Sequence, residues 1–307
     1  MGIAVSVGLP HTLEIPVMTQ PWERAVGGRE MARVARLADE LGYASVFVPE
    51  HYVVPRKHWE FSGRYYLHAA TTQAFLAGAT ERLRINTAIA ILPLVNPIVT
   101  AKALATLDFL SGGRAMVTFG VGWLEGEFEA MGVPFRERGA IAEEYLGAIR
   151  TLLRDDEPRF EGRHVSFHDI AFEPKPVQDH LPIWLGGDAN PALRRAARHA
   201  DGWMPFTTDP DDLPARIDYI KSQPDYDGRP FDVCYSLGAL LLRDGHVPQH
   251  DPRAEQPKSA AELVDRLGWL AGQGVTHTSL APLGMPSLEA YLDHLRWAAE
   301  EVLPALR

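Results

Sequence analysis

The sequence contains a single cysteine, no long apolar run and no excess of basic residues. Cys234 has no partner for a disulfide, which is typical of the reducing cytoplasm, and its apolar neighbours favour a buried, inert thiol. No apolar run of about 18 residues occurs, so no membrane span is expected, and residues 1–10 lack the basic flank of a signal peptide. The net charge of −10 argues against nucleic acid or an anionic membrane as a partner.

Several short motifs of catalytic and metal-binding proteins are also missing. The absence of H-E-x-x-H, Walker A, G-x-S-x-G and C-x-x-C motifs removes support for a metalloprotease, a nucleoside triphosphatase and an α/β-hydrolase. His246 and His250 lie close together in a polar loop, but Pro248 separates them and no metal pair is expected. No lysine stands at a predicted strand end, where a barrel aldolase would need one.

The chain is organised around residues 84–123, which read as strand, loop, helix, turn and strand. Residues 85–91 and 114–121 are short apolar runs typical of buried strands. Between them, Asn96 followed by Pro97 predicts a helix start, and the two glycines after Ser111 predict its end. Two buried strands joined by one helix form a βαβ unit and indicate a parallel sheet.

The same alternation of strand and helix continues along the whole chain. Strands are predicted over residues 3–9, 44–49, 85–91, 114–121, 182–187, 202–205, 231–242 and 275–280. Helices are predicted over residues 29–41, 67–79, 97–111, 137–154, 191–200, 211–221, 259–272 and 288–302. Eight such repeats in 307 residues, with no linker, favour one α/β domain over residues 1–307, a (β/α)8 TIM barrel. Residues 159–167 predict a small β-hairpin inserted after the fourth helix.

An open, doubly wound sheet is the alternative to the barrel. That fold usually carries a glycine-rich phosphate fingerprint after its first strand, and Gly8-Leu9-Pro10 is not one. In a barrel, by contrast, the chemistry lies at the C-terminal ends of the strands, so the residues that follow each strand are the candidates for function.

His51 and Glu50 directly follow the second predicted strand. A histidine there is suited to act as a general acid or base, or as a hydrogen-bond donor to a substrate or cofactor ring. Glu50 is expected either to orient His51 or to cap a neighbouring loop. The loop that follows, residues 51–66, is long and rich in aromatic and basic residues, as expected of a functional loop or lid.

Two glycine turns follow later strands. Gly120, Gly122 and Trp123 end the fourth strand, and Gly126 comes one residue too late for a G-x-G-x-x-G fingerprint. This turn either contacts a phosphate or ring, or only lets the chain bend sharply.

The second turn, Gly186-Gly187-Asp188-Ala189, leads from a strand into a helix, a geometry that suits a phosphate. A plain turn with Asp188 or Asn190 as helix cap is the alternative. The carboxylate of Asp188 would repel a phosphate unless its side chain is turned away.

Segments along the entire chain together resemble the bacterial luciferase-like monooxygenase superfamily, most closely its branch that uses the deazaflavin coenzyme F420. The segments occupy residues 38–43, 48–51, 77–84, 86–93, 96–97, 106–108, 111–114, 120–123, 127–128, 174–176, 182–187, 192–197 and 201–203. Each one is weakly informative by itself, but all of them in this order are highly specific.

The resemblance implies a TIM barrel that binds F420, or FMN as the alternative, at the mouth formed by the C-terminal strand ends. It implies a cis peptide bond between Ala88 and Ile89 that backs the ring, and it places His51 near the reacting face. The remaining contacts are with the cofactor phosphate, at residues of the two glycine turns. These are Gly120, Gly122 and Trp123 in the first turn and Gly187, Asp188 and Ala189 in the second, and Gly186 is a further residue expected to bind the cofactor.

The chain departs from the superfamily pattern at two places. Asp188 stands where relatives often carry a small polar residue or histidine, and His68-Ala69 stands where they usually have Asp-Pro. The second change suggests a different loop at residues 52–66 and therefore a different substrate.

A cytoplasmic oxidoreductase acting on a small organic molecule is expected, with a flavin or F420 reductase supplying reduced cofactor. Relatives are often dimers, and some members are non-catalytic flavin-binding barrels, usually with a shortened barrel.

Overall fold

Eight parallel strands form a nearly closed barrel surrounded by helices in the structure, a computed structural model. In order around the barrel the strands are β10 (His277–Leu280), β1 (Ala4–Gly8), β2 (Ser45–Val48), β3 (Arg84–Ile91), β4 (Val117–Gly120), β7 (Ile183–Gly186), β8 (Gly202–Met204) and β9 (Asp232–Val233). A parallel bridge between Cys234, which follows β9, and His277 of β10 joins the two ends of this strand order. The predicted TIM barrel is therefore confirmed.

The structure describes residues 2–16, 18–236, 255, 257, 259–280, 282 and 284–306. His246, His250 and the second half of the predicted strand 231–242 lie outside these residues. Cys234, which lies within them, is buried, and burial raises the pKa of its thiol.

The remaining two strands, β5 (Phe160–Glu161) and β6 (Ser166–Phe167), form an antiparallel hairpin. It follows the fourth helix of the barrel, as predicted. Glu144, on the preceding helix, fixes the hairpin turn by accepting hydrogen bonds from the backbone N–H groups of residues 163–165 at 2.6–3.0 Å.

Most helices follow the predicted positions closely. They are α1 (Gly28–Leu41), α2 (Trp59–Ser62), α3 (Ala69–Ala77), α4 (Pro97–Ser111), α5 (Glu125–Met131), α6 (Arg138–Arg154), α7 (Asn190–His199) and α8 (Leu213–Lys221), then Ala260–Gly272 and Leu288–Glu301. Asn96 caps α4, since its side-chain oxygen accepts from Ile98 N at 2.9 Å. The short helices α2 and α5 were not predicted, because neither is long enough to show a helical period. None of the helices that the structure describes is both long and apolar enough to cross a bilayer.

The end of the barrel opposite the mouth, here called the base, is closed by buried charged groups. The carboxylate of Asp39 accepts hydrogen bonds from the backbone N–H groups of residues 81–83 at 2.6–3.0 Å. Asp108 holds residues 177 and 178 in the same way, at 2.7 and 3.0 Å. These contacts fix the loops that precede the strands, so the strands present their other ends at defined positions around the mouth.

Candidate active site at the mouth of the barrel

His51 lies at the mouth and is paired with a carboxylate that is distant in sequence. Its Nδ1 lies 2.8 Å from Oε2 of Glu127, which is completely buried, and 10% of the His51 side chain is exposed. A carboxylate accepts hydrogen bonds, so this contact places a proton on Nδ1 and leaves Nε2 available to a reactant. Such a pair can transfer or hold a proton at one defined atom.

Glu127 is fixed by more than His51. Its other oxygen, Oε1, accepts from the backbone N–H of Tyr52 at 2.7 Å. Glu127 therefore ties α5, which follows β4, to the start of the loop after β2. The prediction of site residues missed Glu127, although its position just after the glycine turn of β4 is a signal that could have identified it.

Glu50, although adjacent to His51, has contacts different from those of the His51–Glu127 pair. Its carboxylate is hydrogen-bonded to the backbone amides of Ala69 and Ile91 and to the Tyr52 hydroxyl, so it caps α3 and the end of β3. Burial raises the pKa of the Glu50 carboxyl, and His68 and these hydrogen bonds act in the opposite direction. Of the two roles expected for Glu50, the capping role matches this geometry.

Aromatic rings surround His51. The ring of Tyr66 stands edge-on to His51 with 4.8 Å between centroids, and Trp123 lies at 6.4 Å in a similar orientation. His58 in turn stands edge-on to Trp123 at 5.1 Å. Trp123 remains 36% exposed. The ring contacts connect the loop of residues 51–66 to the glycine turn after β4, and Tyr66 and Trp123 pack against the ring of His51.

The peptide bond between Ala88 and Ile89 is cis, and the pairing of β3 with β4 shifts register between Ala88 and Ala90. The side chain of Ile89 reaches across the ends of β4 and β7. A Cβ atom added to Gly120 would lie 2.7 Å from Ile89 Cγ2, and one added to Gly186 would lie 2.5 Å from Ile89 Cδ1. Both glycines therefore leave room for Ile89, and the three residues form an apolar shelf inside the mouth.

The other two turn glycines are required by the backbone. Gly122 has a φ of +75°, and an added Cβ would lie 2.7 Å from the ring of Phe128. Gly187 has a φ of +119°. Both values are in the range that favours glycine, so the sharp turn expected as one alternative is present at both sites.

Asp188 turns its side chain towards the loop after β8. Its carboxylate accepts hydrogen bonds from the backbone N–H groups of residues 206–208 and from the Thr208 hydroxyl, at 2.5–3.2 Å. Helix α7 is capped by Ala189, without a side-chain hydrogen bond, and neither Asp188 nor Asn190 is its cap. The negative charge of Asp188 is thus compensated by amide dipoles rather than directed at the turn.

Arg195 is a further mouth residue that was not predicted. Together with Gly120 and Gly186 it lines a small cavity between the strand ends and helices α6 and α7. Its guanidinium donates to the Gly139 carbonyl at 2.9 Å and pairs with Glu143 at 3.2 Å, while burial lowers its pKa. The mouth thus contains a His51–Glu127 group at β2 and a separate group of glycine turns at β4 and β7, with Ile89 beside both glycine turns.

The sequence model of the luciferase-like monooxygenase family matches residues 11–245. An uncharacterized protein of Mycobacterium tuberculosis is 35% identical over 278 residues, which cover 84% of this chain and 88% of that protein. The FMNH2-dependent dimethylsulfone monooxygenase of Pseudomonas putida is 33% identical over 159 residues, 50% of this chain and 44% of that enzyme.

Solved structures share the fold along the whole chain. The monooxygenase RslO1 of Streptomyces bottropensis superposes with a TM-score of 0.79 at 22% identity, covering 99% of this chain and 100% of that one. The coenzyme F420-dependent tetrahydromethanopterin reductase of Methanopyrus kandleri gives a TM-score of 0.76 at 17% identity, with full coverage of both, 100% each. At these identities the likeness concerns the barrel and not its chemistry.

Proposed function

The chain belongs to the luciferase-like monooxygenase family, and on that premise we propose that it is an oxidoreductase using reduced coenzyme F420, with reduced FMN as the alternative. The observation that carries the proposal is the shelf of Ile89, Gly120 and Gly186, which lies at the same mouth as the His51–Glu127 pair. An apolar shelf suits one face of a planar ring, and a histidine with a free Nε2 suits the transfer of a proton to or from a substrate.

The residues of the glycine turns fit the phosphate that both cofactors carry. Gly187 and Ala189 precede α7, and backbone N–H groups at such a turn favour an anion. The hydrogen bonds from residues 206–208 hold the Asp188 carboxylate towards the loop after β8, which weakens its repulsion of an anion at the turn. The cofactor, when bound, supplies the redox step, and the protein supplies orientation and exclusion of water.

His51 is the residue we propose to transfer the proton. Glu127 is a positioning residue, because it acts on the substrate only through the ring nitrogen and orientation of His51. Tyr66 and Trp123 restrict the ring from the sides and limit the access of water to it. Glu50 is assigned to holding α3 and the end of β3 rather than to the chemistry.

F420 is proposed first because the segments of the sequence most closely resemble the F420-using branch. FMN remains the alternative because the relative from Pseudomonas putida is FMNH2-dependent by name. If FMN is the cofactor, a flavin reductase would supply it in reduced form, and that reductase is the expected partner.

The test is a titration of the apoprotein with F420 and, separately, with FMN, following the fluorescence of each cofactor. Tight binding of F420 alone supports hydride transfer, and tight binding of FMN alone supports an oxygen-using monooxygenase. If neither cofactor binds, the proposed function is wrong.

Gly186→Ala should weaken cofactor binding because its Cβ collides with Ile89, whereas Gly268→Ala, which has open space around it, should not.

We also propose that the protein is a homodimer. Helix α4 exposes Val99 by 59% and Leu110 by 63%, and these residues are eleven positions apart, about three helical turns, so they share a face. Phe75 of the neighbouring helix α3 is also exposed. Large exposed apolar side chains on one face of a helix favour an interface between copies of the chain.

Analytical ultracentrifugation tests the dimer. The double variant Val99→Glu/Leu110→Glu should sediment as a monomer, while Ile170→Glu, which changes an exposed apolar residue elsewhere on the surface, should remain a dimer. A monomeric wild-type protein at micromolar concentration would contradict the proposal.

A further inference from the structure

The loop at residues 52–66 carries positive charge that the proposed function does not use. Arg56, Lys57 and Arg64 are exposed there, and Glu60 is the only acidic residue of the loop. This excess of cations is local, because the chain as a whole has a net charge of −10. A positively charged loop at the mouth of an otherwise acidic protein raises the local concentration of anions there.

Two of these cations share one aromatic ring. The guanidinium carbons of Arg56 and Arg64 lie 5.3 and 5.5 Å from the centroid of the Trp59 ring. The ring itself is fixed, since its Nε1–H donates to the carbonyl of Val54 at 2.8 Å. A cation–π contact does not require the guanidinium N–H groups as hydrogen-bond donors, so it is compatible with their binding an oxyanion.

Within the described part of the chain, neither guanidinium forms an ion pair with a carboxylate, although arginines elsewhere do, for example Arg33 with Glu289 at 2.5 Å. Bringing two unpaired cations to one ring is electrostatically unfavourable unless an anion joins them. The arrangement is therefore better suited to a ligand than to stabilising the loop.

The same loop places this pair beside the proposed site of chemistry. His58, adjacent to Trp59, contacts the ring of Trp123, and Trp123 contacts His51. At the other end of the loop, Tyr66 follows closely after Arg64 and contacts His51 directly. The loop that carries the two guanidiniums therefore contacts the surroundings of His51 through both His58 and Tyr66.

We propose that the substrate is an organic anion whose carboxylate or sulfonate group is bound by Arg56 and Arg64 above Trp59. The inference rests on the proposed function, since it concerns the substrate of that site. The cofactor phosphate is an anion too, but the glycine turns that suit it follow β4 and β7, whereas Arg56 and Arg64 belong to the loop after β2.

The experiment is isothermal titration calorimetry of the full-length protein with benzenesulfonate and with its neutral counterpart benzenesulfonamide. The wild type should bind the sulfonate at least about tenfold more tightly than the sulfonamide, as expected for two charge-assisted contacts. Arg56→Gln/Arg64→Gln should remove this preference, and Arg56→Lys/Arg64→Lys should retain part of it. The matched control Arg29→Gln/Arg36→Gln removes two exposed charges from α1 and should keep the preference.

A second titration, with the cofactor, determines whether Arg56 and Arg64 bind the substrate or the cofactor phosphate. The affinity ratio between the cofactor that the protein binds and its phosphate-free form, FMN against riboflavin or F420 against its deazaflavin without the phosphate, measures the phosphate contribution, and it should be unchanged in Arg56→Gln/Arg64→Gln. A collapse of this ratio would assign the pair to the cofactor and overturn the proposal. Equal binding of the two probes by the wild type, or loss of preference in the control, would also overturn it. Sulfonate preference in a protein that binds neither cofactor would leave the anion site standing and reject the proposed function alone.

Discussion

The base and the mouth of the barrel use buried charged residues in opposite ways. At the base, Arg114 donates five hydrogen bonds of 2.8–2.9 Å, four of them to backbone carbonyls and one to the Thr80 hydroxyl. At the mouth, Glu127 fixes one nitrogen of His51, and no other described residue hydrogen-bonds to the second. A buried charged residue therefore points to a catalytic role only where it orients a group that still has a hydrogen-bonding atom available for a reactant.

Asp188 is a mouth residue that follows the pattern of the base. Its carboxylate is engaged by the backbone of residues 206–208, much as Asp39 is engaged by residues 81–83. Its position in the sequence suggested a conflict with a phosphate, and its contacts instead indicate that it shapes the loop after β8.

The comparison is tested most strongly by His51→Ala. Removing the proposed proton-transfer group should lower the substrate-dependent oxidation of the reduced cofactor by about 100- to 10,000-fold. Cofactor affinity should stay near the wild-type value, whereas the melting temperature should fall because the buried Glu127 carboxylate loses its His51 partner, so turnover is compared on folded protein. Unchanged turnover would remove His51 from the mechanism.

Arg114→Met should have the opposite effect. It leaves four backbone carbonyls of the base without their donor, so the free energy of unfolding should fall by about 3–5 kcal/mol. Urea denaturation measures the loss, and the exposed Arg36→Met should change stability by less than about 0.5 kcal/mol. A variant as stable as the wild type would contradict the role assigned to the base.

Glu127→Gln should produce a smaller change at the mouth. Glutamine keeps the size of the side chain but not its charge, so His51 is held less firmly and turnover should fall by about 10- to 100-fold. The pH profile of turnover should also change, which a purely structural role would not cause. Glu125→Gln, an exposed residue of the same helix, is the matched control and should behave as the wild type.

The smallest expected effect concerns His277, at the base end of β10. Burial lowers the pKa of His277, Arg84 adds to this, and Asp232 opposes it. The folded protein thus keeps the ring neutral where the unfolded chain already binds a proton. Stability should therefore decrease as pH falls below about 6.5, by at most about 1.4 kcal/mol per pH unit from this group.

Denaturation curves of the wild type and His277→Gln between pH 7 and pH 5 test this expectation. The variant should show the shallower pH dependence, while His168→Gln, which changes an exposed histidine, should match the wild type. Parallel curves for the wild type and His277→Gln would show that His277 is not the group responsible.

Much of the barrel could be predicted from the sequence because its signals are local. The cap of Asn96, the apolar runs of the strands and the glycines after α4 each depend on neighbouring residues, and the structure confirms them. Helix α5 was missed because its seven residues are too few to display a period.

The candidate site was predictable only in part, because its contacts join distant residues. His51 was found by its place after a strand, but its partner Glu127 is 76 residues away. Glu50 was chosen for its adjacency to His51, yet its carboxylate contacts α3 and β3 instead. The stacking of Arg56 and Arg64 on Trp59 similarly depends on how the loop folds back on itself.

The shelf formed by Ile89, Gly120 and Gly186 has a consequence for how the mouth can diverge. A Cβ at position 120 would lie 2.7 Å from Ile89 Cγ2, a methyl fixed to the branched carbon, whereas a Cβ at position 186 would lie 2.5 Å from the terminal Cδ1, so a side chain at either position requires Ile89 to shift or to be smaller. Position 89 should therefore vary together with both glycines among homologues, with alanine at 89 accompanying a larger residue at 120, and alanine or valine at 89 accompanying a larger residue at 186. Engineering a larger side chain at position 120 would therefore have to begin with a change at 89, since the residue introduced at 120 first would have no room beside Ile89.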